Sequence, residues 1–103
     1  MAVNNNNMNI QYVYQQNIEL INIKIICYDP NIVDGDNEHH FHGCFPSFIT
    51  IQTIKEKVNE VWSEQLRGEN YIFKMDDVFI NNEEQTIRQN NICNGATLII
   101  ERV

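Results

Sequence analysis

The densest set of reactive side chains in the chain is the run His39-His40-Phe41-His42-Gly43-Cys44. In an extended strand side chains alternate, so His40, His42 and Cys44 point to one side. Imidazole and thiolate are good zinc donors, and Asp34, Asp36 and Glu38 lie just upstream. These make His40, His42 and Cys44 the metal candidates. Residues two apart on a flat strand do not converge as tetrahedral ligation wants, and no second His/Cys cluster exists in the sequence. The expectation is therefore no metal and no cofactor, with the histidines forming an exposed, partly protonated polar edge. Cys44 beside His42 also has the elements of a thiol nucleophile. No third orienting group accompanies them, and neither an enzyme activity nor a small-molecule substrate is expected. Asp76-Asp77 and Glu83-Glu84 resemble paired acid/base groups, but neighbours in sequence diverge, so they read as a solvated turn rim. Cys27 and Cys93 read as small buried hydrophobes.

The elements that must position these groups fit in 103 residues, enough for one domain with one core. A net charge of −7 with only scattered basic residues disfavours nucleic acid, which needs clustered Lys and Arg. For the chain as a whole it points to a basic protein surface as partner. Cys27, Cys44 and Cys93 form no CxxC and no secreted framework. That expects an intracellular, reducing compartment, the cytoplasm ahead of an organelle. The N-terminus carries no recognisable cleaved address, and the apolar runs are strand-sized, too short for a membrane-spanning helix.

Residues 1–16 form an Asn/Gln-rich N-terminal arm, which buries too little apolar surface to offset the entropy of ordering. Within it Ile10, Tyr12 and Tyr14 alternate with polar neighbours, a short strand signal that makes them candidate contacts with neighbouring proteins. The domain proper is read as residues 17–103. Its first strand, residues 18–28, places Ile21, Ile23, Ile25 and Cys27 on one face and Asn22 and Lys24 on the other. Asp29-Pro30-Asn31 ends it, and residues 41–45 return as a second strand with Phe41 and Phe45 inward.

Residues 50–67 are predicted as one long helix, with Ile51, Ile54, Val58, Val61, Trp62 and Leu66 on an apolar stripe. Thr50 is the expected N-cap, Arg67 sits in the last turn, and Gly68 supplies a left-handed stop. Strands follow over residues 70–74, 78–80 and 97–102, with a helical turn over residues 86–91 and the tight-turn pair Asn94-Gly95. Tyr71, Phe73, Leu98 and Ile100 face the core. The order β-β-α-β-β-β is an α+β arrangement, a mixed sheet of four to five strands with one helix packed across it.

That order resembles ubiquitin and its relatives, the β-grasp family. The segment Thr50-Ile51-Gln52-Thr53-Ile54 and on to Val58 is similar to the start of the ubiquitin helix. Tyr71-Ile72-Phe73 is similar to its Leu-Ile-Phe strand, and residues 86–100 fit the family's closing Thr-Leu pattern without a gap. The apolar first strand and the helix ending in Val61-Trp62 also resemble membrane-anchored ubiquitin-fold proteins, although no prenylation box is present. The chain ends Glu101-Arg102-Val103 where modifiers carry Gly-Gly, so conjugation and sulfur transfer are not expected. Asp76 or Asp77 and Asn94 stand where the resemblance puts linkage lysines. It also implies an apolar contact patch on the outer sheet face, with Ile72 at its centre, Ile26 and Ile99 beside it and Lys24 on a neighbouring strand. Glu101 replaces an apolar member.

The function expected from this is a non-conjugatable ubiquitin-like interaction module, an adaptor binding other proteins through its sheet face. The alternative is a structural accessory subunit of a larger complex, with the N-terminal arm packed on neighbours.

Overall fold

The computed structural model describes residues 18–29, 32, 35 and 37–103. The arm with Ile10, Tyr12 and Tyr14, and the acidic positions Asp34 and Asp36, lie outside the described residues. The described elements are β1 (Leu20–Tyr28), β2 (Glu38–Pro46), α1 (Ile51–Val61), α2 (Ser63–Leu66), β3 (Tyr71–Met75), β4 (Val78–Ile80) and β5 (Ala96–Arg102). They make one five-stranded mixed sheet in the order β2-β1-β5-β3-β4, with β1 and β5 parallel at its centre and the other pairings antiparallel. The strand count and the helix laid across one face agree with the α+β β-grasp reading.

Period-two patterning fixes which face is covered. Ile21, Ile23, Ile25 and Cys27 of β1, Tyr71 and Phe73 of β3, and Leu98 and Ile100 of β5 join one buried cluster with Ile51, Ile54, Val58, Trp62 and Leu66 from the helices. Phe41 and Phe45 of β2 pack against its margin, and the Phe41 ring meets Trp62 edge-on at 6.2 Å.

Thr50 caps α1 as its hydroxyl suggests, accepting from the Thr53 N–H at 3.2 Å. The earlier amides find carbonyls in the segment before β5: Ile51 N–H donates to Gln85 O and Gln52 N–H to Glu83 O. The start of the helix is thus stitched to the chain that follows β4, and its orphan donors are spent there.

At its other end the helix departs from the single span over residues 50–67. Trp62 leaves helical geometry (φ −113°, ψ 42°) and divides α1 from α2. A straight helix would carry Leu66 about 120° round from Ile54. The break lets both Trp62 and Leu66 stay buried, and it leaves Val61 on the flank, 46% exposed, outside the stripe to which the pattern assigned it. The left-handed stop begins one residue early, at Arg67 (φ 48°), and continues through Gly68 (φ 72°). Arg67 turns its Nε back to Glu64 O at 3.2 Å, which offsets the cost of a non-glycine residue there.

Two smaller devices complete the frame. Thr86 and Gln89 cap each other reciprocally: Gln89 N–H donates to Thr86 Oγ1 and Thr86 N–H to Gln89 Oε1. That turn buries Ile87 and Ile92, and because Ile92 takes the inward place its neighbour Cys93 points out, contrary to the expected burial of Cys93. Arg102 reaches from β5 to Tyr28 O (2.6 Å) and Gln65 O (3.2 Å), tying the ends of β1 and α2 to the last strand, with Glu69 3.5 Å from its Nε.

Burial also sets an alkaline limit. The Tyr71 hydroxyl donates to Asn59 Oδ1 at 2.7 Å, and burial, helped by the nearby Glu83 carboxylate, pushes its pKa far above the ordinary tyrosine value. Burial likewise raises the Cys27 thiol, against a smaller lowering by Arg102. Both groups favour their neutral forms when folded. Their contribution is intact below the ordinary thiol and phenol values of about 8.5 and 10, and is lost as pH climbs past them toward the raised folded values. Urea midpoints should therefore fall steeply above about pH 10, and Tyr71→Phe should flatten that fall. An unchanged slope in Tyr71→Phe would remove Tyr71 from the account.

Candidate functional site: the outer sheet face

The face of the sheet turned away from the helices is built by the alternate residues of each strand. Register places Ile26 opposite Ile99, Ile99 opposite Lys74, and Lys74 opposite Phe79, so one row crosses β1, β5, β3 and β4. Ile72 stands opposite Glu101, diagonal to Ile99. Diagonal neighbours on adjacent strands lie roughly 7–8 Å apart, so the three isoleucines meet as one surface. They are unequal in exposure: Ile72 and Ile99 are half-buried, whereas Ile26 is only 9% exposed and forms the floor of the patch. Phe79 is 48% exposed at the β4 end of the row. It was not singled out from the sequence, because a three-residue strand gives too little alternation to show which side chain faces outward. Lys74 pairs with Glu101 at 3.4 Å and approaches Asp77 at 4.0 Å. Glu101 is therefore already engaged beside Ile72, at the position where the resemblance leads one to expect an apolar group.

At the β2 side the same face carries His40 opposite Ile26, His42 opposite Lys24, and Cys44 opposite Asn22. All three are exposed and outward, as their spacing requires. Strand rise separates successive members by roughly 6.6 Å, and among the described residues no three His, Cys, Asp or Glu side chains gather to hold a metal ion. His40 Nε2 instead lies 4.0 Å from Glu38. His39 faces the other way, opposite Cys27, with its Nε2 buried 3.8 Å from Asp29. Cys27 is wholly buried and its thiol is pushed up, the reverse of what activates a nucleophile.

The carboxylate pairs have structural employment. Asp76 and Asp77, both at positive φ, form the two-residue β3–β4 hairpin loop. Glu83 accepts Lys55 Nζ at 2.6 Å, and the same ammonium donates to Tyr71 O and lies 4.6 Å over the Tyr71 ring.

No protein-family model and no curated protein matches the sequence. Solved structures do match the fold. The C-terminal ubiquitin-like domain of mouse tubulin-specific chaperone e aligns with a TM-score of 0.59 and 14% identity over 84% of this chain and 90% of that one. The ubiquitin of Caldiarchaeum subterraneum gives 0.62 and 10% over 82% and 95%. The ubiquitin-like domain of Plasmodium falciparum Dsk2 gives 0.59 and 13% over 82% and 100%. The chain has the ubiquitin-like β-grasp fold. None of its described helices is long and apolar enough to cross a membrane.

Proposed function

We propose that this domain is a protein-interaction module that docks partners on its outer sheet face, with Ile72 and Ile99 as contact residues, Ile26 beneath them and Lys24 at the margin. The observation that carries the reading is the alignment of those isoleucines on adjacent strands, on the side the helices leave uncovered. Apolar side chains flanked by charged ones are what a docking surface offers. This surface favours a binding role over a catalytic one. The wholly buried Cys27 and the structural use of Glu83 and Asp77 support it from within the chain.

Ile72→Asp should reduce capture of native partners at least tenfold, the effect of losing a contact worth about 1.4 kcal/mol or more. Asp at this position stands opposite Glu101, a like-charge pair that itself costs up to about 1 kcal/mol of fold stability. Ile72→Lys, which would face Glu101 with opposite charge, separates the two effects. Quantitative affinity capture from native lysate, with amide spectra confirming that each variant is folded, is the measurement. Equal capture by wild type and both variants would discard the outer face as the docking surface.

A further inference from the structure

β2 ends the sheet, and among the described residues no strand pairs with its outer edge. Its ladder with β1 runs one to one over nine residues, Glu38 to Pro46, without a bulge. Asp29 N–H donates to Asn37 O just beyond one end of that ladder, and Ser47 N–H to Glu19 O just beyond the other. Antiparallel ladders alternate, so the odd-numbered residues of β2 bond to β1 and the even-numbered ones turn N–H and C=O to the open edge. His40, His42 and Cys44 are among the latter, and their exposed side chains share the outer face. One row of a single edge strand therefore carries three metal donors together with the backbone groups of an open ladder. Lysines and bulges, which commonly blunt such an edge, do not occur in β2, and Pro46 comes only at its end.

We propose that two copies of the chain pair edge to edge through β2 around zinc, each ion held by Cys44 of one copy, His40 of the other and one His42. An antiparallel copy has one register that uses the whole strand, with His42 at the two-fold axis. It sets His40 of each copy opposite Cys44 of the other, brings even residues to even ones as the hydrogen bonds require, and puts no carboxylate opposite another. A single strand cannot close this site: its donors step along by roughly 6.6 Å, and among the described residues no three metal-binding side chains gather. Across paired strands Cβ atoms stand only roughly 4.5–5.5 Å apart, a gap that an imidazole and a thiolate span with zinc about 2.0–2.3 Å from each donor. The second His/Cys cluster that the sequence lacks is thus a second copy of the first. Three protein ligands leave the fourth tetrahedral position to water. Lys24 faces His42 from β1, and the Glu38 carboxylate, 4.0 Å from His40 Nε2, offsets it. A net charge of −7 sets bare copies against each other, so the pairing depends on the metal. β1 and β5 separate β2 from Ile72 and leave the proposed docking patch open.

The test takes the full chain, reduced and metal-free, and titrates it with zinc chloride under sedimentation velocity, with amide spectra confirming that each variant is folded. The chain should be monomeric without metal and dimeric with about one zinc ion per chain. Cobalt(II) in place of zinc should give the thiolate-to-metal charge-transfer band of a bound cysteine. Losing a group that merely supports a metal ligand costs about 10–100-fold in affinity. Cys44→Ser and His40→Ala, which remove ligands, should therefore each weaken metal-dependent pairing at least about tenfold. Cys93→Ser, at the other exposed thiol, should change neither pairing nor band. Mixing His40→Ala with Cys44→Ala then separates a shared site from one within a chain. The mixed dimer rebuilds one of its two sites, so up to about half of the cobalt band should return, whereas a site within one chain stays broken in both variants. A chain that stays monomeric in zinc, pairing equally tight in Cys44→Ser, or a mixture that recovers no band would overturn the proposal. Ile72→Asp should pair as the wild type does, so the outcome here is independent of the docking face.

Discussion

Phe73→Ala should destabilise the domain by about 3–5 kcal/mol, the range for truncating a buried aromatic residue. Phe73 is 1% exposed at the middle of the core. On β3 it stands opposite Ile80 on one side and Ile100 on the other, so its ring bridges three strands. It also meets the Tyr71 ring edge-on at 5.6 Å, and Tyr71 is held by Asn59 and Lys55 of α1. Removing the ring leaves a void bounded by strands on both sides, which have little freedom to close in. Domains of this size have total stabilities of roughly 5–15 kcal/mol, so the loss takes roughly a fifth to all of it. Urea unfolding by tryptophan fluorescence at Trp62 measures it, with the midpoint falling at unchanged slope. A loss below about 1 kcal/mol would mean that the ring is not in the core.

The parts of the fold legible in the sequence were those with repeated period. Ile21, Ile23, Ile25 and Cys27 alternate over enough residues to declare a face, and Ile51, Ile54, Val58, Trp62 and Leu66 do so for the helix. What escaped was decided by single packing events. Trp62 breaks the helix because burying both it and Leu66 outweighs the regularity of one turn, and that is also why Val61 is exposed. Cys93 is exposed because Ile92 claims the inward position, a competition between neighbours that hydrophobicity alone does not resolve. For the candidate site, the resemblance implied that Ile26, Ile72 and Ile99 share the outer face, and the register of β1, β5 and β3 sets them side by side there. The near-complete burial of Ile26 and the addition of Phe79 depended on which strands become neighbours, and β1 beside β5 is a pairing across most of the chain.

Gly43→Ala, in the segment whose composition first suggested metal or thiol chemistry, should cost about 1–3 kcal/mol through overpacking. Gly43 sits opposite Ile23 on β2, facing the helix side between Phe41 and Phe45. A Cβ there would lie 2.4 Å from Phe45 Cε2 and 2.8 Å from Phe41 Cε1, closer than carbon atoms approach. The two rings, centroids 6.5 Å apart, fold over the bare backbone and close the margin of the core at the sheet edge. Glycine weakens a strand, and covering it with aromatic rings recovers what its missing side chain loses. An added methyl must push at least one ring outward, and displacement of Phe41 would also loosen its contact with Trp62. The run His39 to Cys44 thus has two faces with different tasks: histidines and Cys44 outward, and a Phe-Gly-Phe packing unit inward. A double-mutant cycle distinguishes this from a general intolerance of β2 to substitution. If the clash is with Phe45, Phe45→Leu should recover part of the Gly43→Ala loss, giving a coupling of roughly 0.5–1.5 kcal/mol. Strict additivity would mean that the ring does not rest on Gly43.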